Sequence, residues 1–186
     1  MKIKNVLTVF VIAALFVSCT DVVLPKPKAQ LRLEYPENTY QQVISDCPYL
    51  IEISQNSIIE FKNNCWAKVQ YPNLNATIHL TYRSVDNNLI PILKEVEKLT
   101  FEHAVKADVI NAQPFVNSLH KTYGKLINIE GNVASNIQFY VTDSVKNVLY
   151  GTLYFNVKPN YDSILPALKY IEKDVKNLME SVEWQN

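Results

Sequence analysis

The sequence predicts an α+β domain in which two long helices cover a largely antiparallel sheet. Two observations point there. Runs of alternating apolar and polar residues fill two blocks of the chain, and after each block the apolar spacing changes to three or four. The resulting order of strands, helix, strands, helix sets helices against an antiparallel sheet rather than between parallel strands. With 186 residues, 48% of them hydrophobic and 19% charged, the chain has one domain's worth of sequence and enough apolar side chains for a real core.

The elements follow in order. Leu31-Arg32-Leu33-Glu34-Tyr35 alternates and stops at Pro36. Tyr49 to Ile53 and Ile58 to Phe61 are expected to form a hairpin across Ser54-Gln55-Asn56-Ser57. Trp66 to Tyr71 and Ala76 to Tyr82 follow, parted by Pro72-Asn73-Leu74-Asn75, and their β-branched and aromatic content suits a half-buried sheet. Leu89, Leu93, Val96, Thr100, Ala104 and Ala107 then recur at helical spacing, so a helix is expected from Asn87 or Asn88 that is over by Pro114. Glu102 and Lys106 form an i,i+4 pair on it. Three further strands are expected at Lys125 to Glu130, Asn136 to Thr142 and Val148 to Val157. The last helix is the clearest, with Asp162 or Ser163 as its cap and an apolar stripe from Ile164 to Val182. Trp184 is expected to anchor the end of the chain against the sheet. This order is similar to that of the Mog1/PsbP-like fold, a topological likeness that says nothing about activity.

Ahead of the domain stands an address. Lys2 and Lys4 precede an apolar run from Val6 to Val17. At about 1.5 Å per residue that run spans roughly 18 Å, short of the roughly 30 Å hydrocarbon core, and so reads as a secretory signal. Leu15-Phe16-Val17-Ser18-Cys19 resembles a bacterial lipobox, with Phe16 standing where the pattern usually has Leu. In that reading residues 1–18 are removed, and Cys19 becomes the acylated N-terminus, held at about 0.8 kcal/mol per buried CH₂. The alternative is ordinary cleavage with Cys19 incidental. Residues 19–30 form the lipidated N-terminus and tether, in which Thr20 to Gln30, with Pro25 and Pro27, reach roughly 34 Å at about 3.1 Å per residue. Residues 31–186 form the single domain.

Composition excludes several function classes. The 18 basic residues balance the 18 acidic ones, so nothing suggests nucleic-acid binding. With only 3 glycines, neither GxGxxG nor GxxxxGK[ST] occurs, and no cofactor is implied. His79, His103 and His120 fall at no HxH, HxxxH or HExxH spacing, although a zinc site built from distant positions stays open. His103 and Lys106 share a helix face and form either an anion-binding pair or an exposed polar edge. Asp143-Ser144 reads as a turn cap, since a serine needs a base within reach to act as a nucleophile. Cys47 and Cys65, an even pair in an exported chain, are most simply a disulfide; a thiolate nucleophile or metal pair would want CxxC spacing or an adjacent His. The 11 tyrosines, 7 phenylalanines and 2 tryptophans are compatible with a protein-contact surface without locating one.

Several runs stand in a fixed order: Cys47-Pro48-Tyr49, Cys65-Trp66, Ala76 to Tyr82, His103 with Lys106-Ala107, Gln138 to Ser144, Leu149 to Phe155, and Pro159 to Ser163. Taken together they resemble the gliding-motility lipoprotein D family of the Bacteroidetes, GldD. The sequence departs from the family at Tyr150 and Thr152, around Gly151, so a contact made there is expected to differ. The resemblance implies a non-enzymatic, lipid-anchored envelope protein required for gliding and tied to type IX secretion. Its partners would be the membrane, through the anchor, and gliding and secretion envelope proteins. Candidate contact residues are His79, Tyr82, His103, Lys106, Asp143, Ser144 and Tyr150; no catalytic, metal or cofactor residue is carried over. Within residues 19–30 only Asp21 is acidic, which favours a periplasm-facing position, with the outer membrane preferred over the inner. Asp143-Ser144-Val145 and Asp162-Ser163-Ile164 resemble O-glycosylation acceptors of that bacterial group. Rival readings are a small-ligand carrier for lipid or glycan, and an envelope hydrolase using scattered His and Asp residues.

Overall fold

The computed structural model describes residues 33–103 and 106–185, with Leu99 and residues 101–103 described by their backbone alone. The leader, Cys19 and the tether lie outside them. Strands β1 (Tyr40–Val43), β2 (Tyr49–Ser54), β3 (Ile58–Phe61), β4 (Ala67–Tyr71) and β5 (Ala76–Ser84) lead into helix α1 (Leu89–His103). Strands β6 (Val109–Asn117), β7 (Thr122–Glu130), β8 (Ser135–Thr142) and β9 (Asn147–Phe155) lead into helix α2 (Tyr161–Glu180) and a short β10 (Glu183–Trp184). This is a mixed α+β fold of antiparallel sheets. One sheet has seven strands in the order β3-β4-β5-β9-β8-β7-β6; the other has three, β1-β2-β10.

The side-chain period of two divides the larger sheet between two environments. Val69, Ile78, Leu80, Phe139, Val141, Leu149 and Leu153 point to one face. There they share a core with Tyr49, Ile51 and Ile53 of β2 and Leu168, Ile171, Val175, Leu178 and Met179 of α2. Helix α1 lies on the other face, over β8 and β7. Thr100 Oγ1 donates to Gln138 Oε1 at 2.7 Å, and Lys125 Nζ donates to Glu97 Oε1 at 2.9 Å. Among its described side chains, Ile92 and Val96 are the buried apolar ones.

The elements depart from the sequence reading at six places. Tyr49–Ser54 and Ile58–Phe61 do not form a hairpin: β2 pairs with β1 and β10, whereas β3 pairs with β4. Ser57 donates its hydroxyl to the Ser54 carbonyl at 2.7 Å, closing a turn at which the chain crosses between sheets. Leu33 to Tyr35 form no strand; the Tyr35 ring stacks on Tyr170 with centroids 4.9 Å apart. Strand β1 has adjacent polar Gln41 and Gln42 and therefore no alternation to read. Helix α1 ends at His103, before Ala107, which packs instead with Ile127, Ile129 and Val133. The stretch Val109–Asn117 is a strand in spite of Pro114, because an edge position tolerates a residue without an N–H. Finally, α2 is capped by Asn160, whose side chain accepts the Ser163 N–H at 3.4 Å. The expected disulfide Cys47–Cys65 is present, with Cα atoms 5.5 Å apart, and joins the chain just before β2 to the turn just before β4.

Candidate contact surface

The face of β4, β5 and β9 turned away from α2 carries the chemistry. Lys68, His79, Thr152 and Gln138 stand in one cross-strand row. Thr81, Tyr150, Tyr140 and Lys125 stand in the next. Gln138 and Lys125 lie under α1, and the rest of these rows continue beyond it. His79 is exposed and meets the Tyr154 ring edge-on, with centroids 5.5 Å apart. Partial burial, and then the charge of Lys68, hold the His79 imidazole below its ordinary value, so it is neutral at pH 7.

At one end of this face the chain turns sharply. Asn64 and Cys65 both adopt left-handed backbone angles, φ 60° and 57°. The turn delivers Trp66 to the surface with 45% of its area exposed, and its indole N–H donates to the Tyr82 carbonyl at 3.3 Å. Asn64, Cys65, Trp66, Tyr82, Arg83 and Ser84 line a cleft of about 490 Å³. Arg83 makes a 3.6 Å ion pair with Glu95 of α1.

Behind the cleft a chain of hydrogen bonds sets its floor. The Tyr49 hydroxyl donates to the Cys65 carbonyl at 2.8 Å, and the Tyr49 and Tyr82 rings lie 5.8 Å apart. Tyr82 donates to Asn147 Oδ1 at 2.7 Å, and Asn147 Nδ2 donates to Asp143 Oδ2 at 2.7 Å. Asp143 Oδ1 accepts the backbone N–H groups of Val145, Lys146 and Asn147 at 2.9, 2.8 and 2.9 Å. Burial alone would raise this carboxyl, but those donors outweigh it and hold Asp143 below the usual carboxylate range. Asp143 is thus a turn cap, with Ser144 beside it at a left-handed φ of 65°.

A family model described as gliding motility lipoprotein GldD matches residues 20–184. The chain belongs to that family. No curated protein matches it. Membership makes this a gliding-motility-related lipoprotein of the cell envelope, associated with a membrane. Among the described residues no helix is long and apolar enough to cross one.

The GldD-family chain gathers some of the candidate residues and separates others. His79 and Tyr150 share the sheet face beyond α1. Tyr82 and Asp143, far apart in sequence, meet through Asn147, a residue that no spacing rule marked. Lys106 is exposed after α1, and the side chain of His103 lies outside the described residues. Tyr150 and Thr152 point away from the core, whereas Gly151 between them points into it. His120 sits on the other side of the sheet from His79, by the end of α2. Its Nδ1 lies 3.3 Å from the Val182 carbonyl and 3.5 Å from Glu183 Oε1. Among the described residues no group of three or more His, Cys, Asp or Glu side chains is placed to hold a metal ion. Ser144 and Ser163 are both exposed. Trp66 and Arg83 are the residues that sequence reasoning missed as contact candidates. The Cys65-Trp66 run was visible, but only the turn shows that its indole faces outward.

Proposed function

We propose that this GldD-family lipoprotein is a non-enzymatic assembly or stabilising partner of the gliding apparatus, linked to type IX secretion. Cys19 anchors it, in the outer membrane in preference to the inner, facing the periplasm. The tether holds the domain near the membrane, where it works by protein contact. The observation that carries this reading is the half-exposed Trp66 beside Tyr82 and Arg83. Trp, Tyr and Arg are the side chains that dominate protein interfaces, and a shallow cleft lets a partner group desolvate them. The separation of His79 from His120 and the turn-capping duty of Asp143 also favour contact over hydrolysis. The Mog1/PsbP-like order of elements belongs to the same reading, as an architecture without implied chemistry.

The test is a crosslinked pull-down of the tagged, lipidated protein from native membranes. Recovery of gliding or secretion-motor proteins, lost with Trp66→Ala, is expected; recovery of the protein alone with efficient controls would count against it. A Cys19→Ala strain is expected to mislocalise the protein and lose gliding, and normal gliding by that strain at full expression would sink the anchoring step.

A small-ligand carrier is the second reading. Leu33, Tyr35, Leu74, Phe155, Val157 and Ile164 contribute to a mostly apolar groove of about 540 Å³. Copurifying lipid, seen by mass spectrometry, would favour it.

A further inference from the structure

Strand β6 ends the seven-stranded sheet, and no described strand pairs with its outer side. It runs Val-Ile-Asn-Ala-Gln-Pro-Phe-Val-Asn from Val109 to Asn117, without one charged residue. All of its residues are exposed except the half-buried Phe115 and Asn117, and Val109, Ile110 and Val116 are 50%, 41% and 64% exposed. A free edge of this kind offers unpaired N–H and C=O groups, and proteins ordinarily protect it with lysines, a bulge or a covering element. The opposite edge shows such protection: β3 has only four residues, with Glu60 in the strand and Lys62 just after it. On β6 only Pro114 interrupts the row.

We infer that β6 is a docking edge completed by an extended segment of another protein, added as an eighth strand. In an antiparallel ladder alternate residues turn their N–H and C=O groups outward. Pro114, opposite Lys125 of β7, occupies an outward position, where its missing N–H takes nothing from the ladder with β7. Ile110, Ala112 and Val116 then offer both donor and acceptor outward, and Pro114 offers its carbonyl.

This pattern discriminates between occupants. A second copy of the chain, aligned antiparallel about Gln113, would set each Pro114 opposite the partner's Ala112. The missing donor would then be met twice, in the middle of the new ladder. A foreign strand meets it once. The side chains define that strand further. Ile110, Ala112, Pro114 and Val116 form an apolar row on the α1 side, and Val109, Asn111, Gln113 and Phe115 form a mixed row on the α2 side. Cross-strand neighbours match in character, so the segment is uncharged and alternates apolar residues with small polar ones. This inference does not depend on the Trp66 cleft, which lies at β4 and β5.

A photocrosslinking residue at Val116 of the full-length lipidated protein, in native membranes, tests it, with the same residue at exposed Lys173 of α2 as control. The expected result is a Val116 adduct that maps to one uncharged, alternating segment of a different protein. Ala112→Pro removes an outward donor without touching the ladder to β7, and Ile110→Lys places a charge on the apolar row. Each is expected to cut that adduct about tenfold while Trp66-dependent recovery of partners stays intact. The thermal melt of each variant verifies its fold, and Ile110→Lys decides the matter if Ala112→Pro unfolds the chain. Adducts to β6 of a second copy, adducts scattered as widely as those from Lys173, no adduct from Val116, or insensitivity to a folded variant would each overturn the inference.

Discussion

The ring of Phe139 fills the space that a side chain at Gly151 would need: an added Cβ would lie 2.3 Å from that ring and 3.0 Å from Leu80. The two residues are cross-strand partners on β8 and β9, and the Phe139 ring lies over the bare backbone opposite it. Gly151→Ala forces Phe139 out of its place in a closely packed core. It should cost about 1–3 kcal/mol, read as a lower denaturant midpoint at unchanged slope. An unaltered midpoint would mean that the core at this point is loose.

The disulfide joins segments that serve different sheets. Cys47 lies just before β2 and Cys65 just before β4, 18 residues apart in sequence. Breaking it with Cys47→Ala and Cys65→Ala together should cost about 3 kcal/mol through the freed unfolded chain. Chemical denaturation with and without reductant checks this, and the double variant should become indifferent to reductant.

Two carboxylates should make the domain less stable in acid. Glu172 of α2 lies between Lys169 and Lys176, each 2.9 Å away. Burial pushes its carboxyl up, but the two lysines outweigh that and hold it below its ordinary value, as the turn donors do for Asp143. A group lowered on folding contributes stability above its unfolded value and loses it as pH falls through its folded one. Stability should therefore decline as pH drops below about 4.5, and Glu172→Gln should shrink that decline.

Asp174 should act in the opposite direction. It is 3% exposed, and burial raises its carboxyl, only partly offset by Asn38, whose Nδ2 donates to Oδ1 at 2.6 Å. A carboxyl raised on folding favours the folded state below its unfolded value and loses that benefit as pH rises through its folded one. Asp174→Asn removes this titration. The stability of the native protein relative to the variant should grow as pH falls towards 3.8, and a difference constant with pH would refute the assignment.

The Trp66 side chain contributes little to the fold, since nearly half of the residue is exposed and its indole N–H makes a long 3.3 Å bond to the Tyr82 carbonyl. Trp66→Ala should lower stability by less than about 1 kcal/mol yet weaken partner binding by about 2 kcal/mol or more. Thermal melts beside partner recovery and gliding assays separate the two. Equal loss of both would reduce Trp66 to a structural residue.

Local patterns made the two helices, strands β7 to β9 and the Cys47–Cys65 pairing legible, because periodicity and an even pair of cysteines are properties of the chain itself. Family membership was legible for the same reason: short runs in a fixed order need no coordinates. Pairing partners were not. Tyr49–Ser54 and Ile58–Phe61 look alike as isolated strands. Only the tertiary structure decides that the first completes a small sheet over α2 while the second forms an edge of the large one, because burial of β2 against α2 outweighs the short connection between them. Pro114 hid β6 for a related reason, since proline forbids a central strand but not an edge, and edge position is a fact about neighbours. The Tyr82–Asn147–Asp143 chain and the outward turn of Trp66 likewise depend on register and on left-handed backbone angles at Asn64 and Cys65. The sequence by itself determined the cell-envelope location, composition of the core and family; folding in three dimensions decided which side chains face solvent together, because that depends on contacts between residues far apart along the chain.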